Sequence, residues 1–395
     1  MSLDHKLQLK VVAHSLGADV IPVNLESIEG LSRHFEIWVT VLLNSNEVNI
    51  LKKLGSKMTV AVMLAEQEVR RFDGLVAQGE YVKDVFGYNA DAPFERMHVY
   101  RLKLSPKAAF HDQGRNFRIF QDKTVEQIVT TVLNDCGITF KFKADGGRRK
   151  RAYCVQYKES DFAFVSRLLE EHGLFYFYDH DGSDGHSLTI CDDVRQLGNA
   201  TIAELTYNPE AASIALGDRL LAENEQFLYD FKERGCSSAI GKVTFRDFDF
   251  KRPTAARQVL SEGDAHHQSE KIEFYDWPGR YYVEHEGNEL SKVYLEADQT
   301  ERLSYAGEAI SCGIIPGHKI KVSEHPASRL NGNYVALSSV TQIADQSYRS
   351  ATGEGETKST FVAVPENTKI RAPLTTPRPQ VQGLETAIVT GPESE

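Results

Sequence analysis

Gly55-Ser56-Lys57-Met58-Thr59-Val60 is echoed far along the chain by Gly317-His318-Lys319-Ile320-Lys321-Val322. Each is a turn glycine followed by a short β-run. Alone, Gly-x-Lys-apolar-x-Val is a generic turn-then-strand pattern. Two further matches, in the same order, make it informative. Gly74-Leu75-Val76 trails the first copy about as far as Gly332-Asn333-Tyr334-Val335 trails the second. His98 to Pro106 and Lys358 to Pro365 come next, each a β-run stopped by proline. Three matches in one order predict two related β-barrels in one chain.

The residues around the first copy fit a small barrel. Leu7, Leu9 and Val11 alternate with Lys6, Gln8 and Lys10, and Phe35, Ile37, Val39 and Val41 share one side of Phe35 to Leu43. Period-2 patterns of this kind suit a sheet with one buried face. Met58 to Leu64, Gly74 to Gln78 and His98 to Leu104 continue them. Past Pro106 the character changes. Thr124-Val125-Glu126-Gln127 is a capping box, and Val125, Ile128, Val129, Val132 and Leu133 follow at helical spacing until Gly137. A second helix is predicted from Ser160 to Gly173, then the strands Leu174 to Tyr178 and Ser187 to Cys191.

The domain reading is therefore 1–106 as a first β-barrel and 107–200 as a separate α+β unit. Residues 201–250 and 305–365 form a second barrel, which carries strands Gln226 to Phe231 and Lys242 to Asp249. A helical insertion at 251–304 interrupts it, with Leu290, Val293, Tyr294 and Leu303 as its apolar face. Pro373, Pro377 and Pro379 mark 366–382 as an extended linker, since proline fixes φ and lacks a donor. Glu385 to Val389 reads as the first strand of a further domain, and one strand cannot bury its own face. The expected class is α+β, mainly β.

Composition narrows the function. The 395 residues are 41% hydrophobic and 26% charged, ordinary for a globular chain long enough for two or three domains. A formal net charge of -11 argues against a nucleic-acid partner, which needs a basic footprint. Arg148-Arg149-Lys150-Arg151 is the local exception and reads as a solvated loop. Cys136, Cys154, Cys191, Cys236 and Cys312 are odd in number and include no Cys-x-x-Cys, which disfavours a disulfide framework or zinc ribbon. Met1 to Lys6 opens without an apolar signal core, so folding in the cytosol is expected.

Chemistry-bearing motifs are scarce. His285-Glu286-Gly287-Asn288-Glu289 lacks the second histidine that would put two imidazoles on one helix face. It reads as the start of a surface helix. His266-His267 diverge as neighbours and chelate poorly together. Asp192-Asp193 reads as a turn, and Phe175-Tyr176-Phe177-Tyr178 as strand core ahead of a stacking platform. No catalytic, cofactor or metal residue is assigned, and no enzymatic role is expected.

Seven blocks in order carry a family likeness. Phe117-Arg118-Ile119-Phe120-Gln121-Asp122-Lys123-Thr124-Val125 resembles the Arg-Ile-Phe-Gln signature of the VgrG family, the spike or tip proteins of type VI secretion. Leu31 to Phe35 and Tyr100 to Pro106 precede it. Tyr157 to Phe162 and Arg167 to Tyr176 follow, with Glu286-Gly287 and Pro377 to Gly383 completing the order. The resemblance implies a fold similar to the phage tail baseplate hub, with the chain ending before an OB-type barrel and β-helix. It implies a homotrimer whose six barrels sit on a hexameric Hcp-type tube. It further implies a PAAR-repeat tip protein and effectors beyond the hub, baseplate contacts, mechanical piercing of a target membrane, and export by the apparatus from the bacterial cytoplasm. A hub from a phage-like or extracellular contractile particle is the near alternative, and a cell-wall hydrolase the alternative of another class.

Overall fold

The computed structural model describes residues 7–16, 19–64, 67–86, 96–145, 150–182, 185–211, 226–236, 240–249, 257–263, 272–281, 283–345, 355–384 and 386. Strands β1 (Leu7–Ala13), β2 (Val20–Gly30), β3 (Glu36–Leu43), β4 (Lys57–Leu64), β5 (Gln67–Phe86) and β6 (Arg96–Ser105) form the first module. They run β1-β4-β5-β6-β3-β2, each neighbour antiparallel. Their alternation has the predicted consequence. Ile37, Val39, Val41, Val60, Val62, Phe72, Leu102 and Leu104 point into one core and are almost fully buried.

Next come β7 (Asn116–Thr124), α1 (Val125–Asp135), β8 (Phe140–Phe142), β9 (Lys150–Glu159), α2 (Asp161–Glu171), β10 (Phe175–Gly182) and β11 (Gly185–Cys191). The capping box forms as expected: Gln127 N–H donates to the Thr124 hydroxyl at 3.2 Å, and Thr124 N–H donates to the Gln127 side chain at 3.0 Å. Ser160 caps α2 through Ala163 N–H. Both helices end at a glycine in the left-handed region, Gly137 at φ 62° and Gly173 at φ 65°.

The remaining elements are β12 (Asn199–Tyr207), β13 (Phe227–Gly235), β14 (Lys242–Asp247), β15 (Arg257–Glu262), β16 (Glu273–Asp276), α3 (Glu284–Gln299), β17 (Leu303–Ile310), β18 (Lys319–Ser323), β19 (Gly332–Ala344) and β20 (Glu356–Pro365). Six of them form a second module, β12-β18-β19-β20-β17-β13. It closes through a short parallel pair, Thr206 with Phe227 and Tyr207 with Leu228. Numbered within its own module, each set follows one order: first, fourth, fifth, sixth, third, second.

The likeness extends to backbone detail. Gly55 and Gly317 sit at φ 77° and 78°. Gly55 N–H donates to Val76 O at 2.8 Å, and Gly317 N–H donates to Ala336 O at 2.9 Å. Val76 and Ala336 return bonds to the carbonyls of Ser56 and His318. The next residue is a β-bulge in both modules, Ala77 and Leu337. A second bulge recurs at Val23 in β2 and Tyr229 in β13. Carried along the paired strands, this register sets Pro106 opposite Pro365 as equivalents, and pairs Gly74 with Tyr334 where the sequence suggested Gly332.

Several expectations need correction. The strand at 242–249 is not in the second barrel: β14 pairs with β15 and β16 in a separate sheet under α3. Its inward residues Val243 and Phe245 meet Val259, Tyr281 and Leu295, so the insertion supplies its own core. Leu303 is not on the insertion's apolar face; it starts β17 and is 43% exposed. Residues 107–200 are not a separate unit either. Phe162, Val165, Leu168, Tyr176 and Tyr178 share one continuous core with the first barrel, where Tyr178 meets Phe35 edge-on at 5.1 Å. The linker is extended but docked, with Ile370 and Ala372 buried beside Phe175, Phe177 and Val364. Of Glu385 to Val389 only Thr386 lies within the described residues.

The paired glycines give a graded test. A Cβ on Gly55 would meet nothing within 4 Å, whereas one on Gly317 would lie 2.5 Å from the Phe177 ring. Gly55→Ala should cost about 1–2 kcal/mol, from the left-handed backbone alone. Gly317→Ala adds a buried clash and should cost about 1–3 kcal/mol more. Urea unfolding of both variants measures the difference; equal losses would show that the Phe177 contact is not tight.

Candidate functional site

The two modules meet along a ladder. The edge of β2 opposite β3 pairs antiparallel with β19, from Gly30 with Ser338 to Asn24 with Ala344. Leu31 N–H extends it, donating to Leu337 O at 2.8 Å. The two barrels thereby become one continuous twelve-strand sheet. A sheet edge exposes a row of unmet donors and acceptors; here one barrel's edge is capped by the other's.

Charged groups are buried against this ladder. Glu29 in β2 and Arg70 in β5 form an ion pair, each with a side chain no more than 5% exposed. Arg70 also donates to the carbonyls of Cys312 at 2.5 Å and Ile314 at 3.0 Å, both in the second module. The other Glu29 oxygen meets His180 Nε2 at 3.2 Å, and His180 Nδ1 lies 3.1 Å from the Asp73 backbone. The Asp73 carboxylate accepts from Thr59 at 2.5 Å and meets His186 Nδ1 at 2.9 Å. One polar chain therefore joins β2, β5, β10 and β11 to the loop after β17. Burial pushes the Glu29 carboxyl up, but Arg70, His180 and Ser27 outweigh it and hold it at about 2. Burial lowers the His186 pKa despite Asp73.

A second cluster fixes the linker. Burial raises the Glu171 pKa, while Arg151, Arg378 and Arg167 bring it down to about 2. Arg167 also bonds Glu159 at 2.7 Å, and Arg378 meets Glu171 at 3.1 Å. Thr376 donates both its N–H and its hydroxyl to Glu170. Arg371 bonds Glu296 on α3 at 2.8 Å and donates to the carbonyls of Gly173 and Asp192. Arg151, Arg167, Glu171, Glu296, Arg371 and Arg378 line a cavity of about 930 Å³ between α2, β9 and the insertion. Its charges are largely committed to one another.

The candidates named from sequence scatter over the molecule. His285 is 80% exposed at the start of α3 and pairs with Glu289. Asp193 caps the turn Val194–Gln196. Phe175 to Tyr178 are all core. Arg148, Arg149, His266 and His267 lie outside the described residues, while Arg151 pairs with Glu171 at 2.6 Å. Four cysteines are buried, and Cys236 is exposed. Sequence reading missed one grouping: His111, Cys136 and Asp161 bring their ligand atoms within 4.8 Å of one another. Asp161 Oδ1 is already taken by Arg118, Gln156 and Asn116. Burial, then Asp161, pushes the Cys136 thiol up to about 11, which keeps it neutral and donating to Asp161 Oδ2 at 3.7 Å. Two members of the trio, Asp161 and Cys136, are thus already bonded, to each other and to Arg118, Gln156 and Asn116. Among the described residues no helix is long and apolar enough to cross a membrane.

Two kindred barrels, laddered into one sheet and braced by an α+β layer, give the chain the architecture of a phage tail baseplate hub. Residues 28–347 match the family model described as phage tail baseplate hub (GPD), and the chain belongs to that family. It is similar to type VI secretion system spike protein VgrG1b of Pseudomonas aeruginosa, 28% identical over all of this chain and 51% of that protein. Spike protein VgrG4b of the same organism is 31% identical over 82% of this chain and 41% of that protein. The chain therefore spans about half the length, or less, of these curated relatives. Among solved structures, the E. coli c3393 protein matches with a TM-score of 0.65 at 20% identity, covering 95% of this chain and 82% of that one. That protein is described as a component of the type VI secretion system with structural similarity to the T4 bacteriophage tail proteins gp27 and gp5. At this identity the likeness concerns the fold.

Both buried clusters make stability depend on pH. A carboxyl held below its unfolded value stabilises the fold fully above about pH 4.5 and loses that contribution as pH falls towards 2. The melting temperature should therefore drop steadily between about pH 5 and pH 2. Arg70→Met leaves Glu29 buried without its cation and should cost about 3–5 kcal/mol at pH 7. It should also weaken the acid dependence, because Glu29 then has less to lose on protonation. Thermal melts across this range check both; an unchanged acid slope would show that the pair does not govern it.

Proposed function

We propose that this chain is the hub section of a type VI secretion spike. Three copies would place six barrels in a ring that caps a hexameric Hcp-type tube. The single observation behind this reading is the twice-used strand order, repeated down to its bulges and its left-handed glycines. A threefold assembly can match a sixfold partner only if each chain presents two near-equivalent units. The internal ladder holds those units in a fixed relation.

On this reading the role is mechanical. The buried ion pairs join three layers, which suits a part that transmits an axial push from a contracting sheath. The tip-side partners, a PAAR-repeat protein and effectors, would attach beyond the hub section, with baseplate proteins around its rim. The ring would be assembled in the bacterial cytoplasm and leave with the tube, piercing the target membrane mechanically. Neither nucleic acid nor a cofactor has a part in this mechanism. The polar groups brought together are bonded to one another, which supports a structural role over a catalytic one.

The test is assembly. Sedimentation should give a three-copy species, and a purified hexameric tube protein from the same apparatus should co-elute with it. A monomer that ignores the tube would overturn the reading. Clear release of fragments from purified cell wall would favour the hydrolase instead.

A further inference from the structure

The internal ladder uses two edges, and each has a twin that the described residues cover only in part. Within its module β13 is the equivalent of β2, and β5 the equivalent of β19. β19 is covered by β18 only from Gly332 to Val335, and β2 takes the rest of that edge. β5 is likewise covered by β4 only from Gln67 to Leu75. Among the described residues, nothing pairs with the rest of that edge, where Gln78, Glu80, Tyr81, Val82, Lys83, Asp84 and Phe86 are exposed. β12 covers β13 only at Phe227 and Leu228, leaving Lys232, Glu233, Arg234 and Gly235 exposed. Among the described residues two long strand edges are therefore open, one in each module.

We infer that β13 of one copy pairs antiparallel with β5 of the next, repeating between chains the β2–β19 ladder within the chain. This rests on the ring proposed above and adds the surface that closes it. The occupant is a second copy because the two open edges are the counterparts of two edges already seen to fit each other. One molecule presents both, one in each module, and the two edges differ, so the contact is head-to-tail and propagates around a ring.

The repeat also fixes the register. The shared bulge makes Gln78 equivalent to Ser338 and Glu80 to Val340. The bulge at Val23 and Tyr229 makes Arg234 equivalent to Ile28, and Cys236 to Gly30. Ser338 faces Gly30 and Val340 faces Ile28 across the internal ladder. Between copies, Gln78 should then face Cys236, and Glu80 should face Arg234. Directly opposed residues share a face, so the second pair is charge-complementary. The bond from Leu31 N–H to Leu337 O makes Gly30–Ser338 a non-hydrogen-bonded pair. Such pairs bring side chains closest, at Cα separations that a disulfide spans.

Cysteine trapping tests this directly. Gln78→Cys, kept with native Cys236, should oxidise to species of two and three linked copies that collapse to one under reductant. Cys236→Ser on that background should abolish them, since the other four cysteines are buried. Sedimentation of the same sample separates the two ideas. A trimer without cross-links overturns this seam and leaves the hub reading standing; a monomer overturns both. As an independent check, Arg234→Glu should weaken self-association about tenfold, and adding Glu80→Arg should restore most of it. No rescue would show that these residues do not face each other.

Discussion

One rule of β-structure governs this molecule: a strand edge must be paired, covered or left to water. The first module does not complete its own ring by a ladder between β1 and β2 among the described residues. The edge of β2 goes to β19, and by that choice two barrels become one sheet. Register along the seam is tightly held, because a one-residue slip would turn every inward side chain outward. The bulges at Leu337 and Val23 set where it begins and how it twists.

The ion pairs beneath the seam follow from that geometry. Arg70 crosses from β5 to two carbonyls of the second module, a reach that exists only because the ladder has brought the modules together. Its charge is tolerated there because Glu29, on the ladder itself, faces it. Buried pairs of this kind seldom add net stability over apolar packing, but removing one partner is costly. They therefore act as a lock on the relative placement of three layers. The docked linker repeats the device, with Glu170 and Glu171 binding Thr376 and Arg378. Both sites use arginine, whose forked donors hold several oxygens in one plane.

Much of this was legible in the chain, and for specific reasons. Alternation around Ile37, Val39 and Val41 reported a one-sided sheet because strand side chains obey a period of two. The Thr124–Gln127 box reported a helix start because its bonds are local. Gly55 and Gly317 reported the repeat because a left-handed turn restricts the residue that can occupy it. The errors share a cause as well. Strand β14 and Leu303 were misplaced because alternation marks a strand without naming its partner. The 107–200 layer read as separate because nothing local shows that Tyr178 lies against Phe35. The trio His111, Cys136 and Asp161 left no trace, being spread over three elements.

The kinds of element, the helix caps and the presence of two related modules are written locally in the chain, since these rest on contacts between near neighbours or on a pattern that occurs twice. Which edge β2 pairs with, where the charge of Arg70 is met and how the proline-rich segment docks emerge only in the folded molecule. Those outcomes depend on hydrogen-bond rows and ion pairs between residues dozens to hundreds of positions apart. Such partners are selected by the geometry of the assembled sheet, which no local pattern encodes.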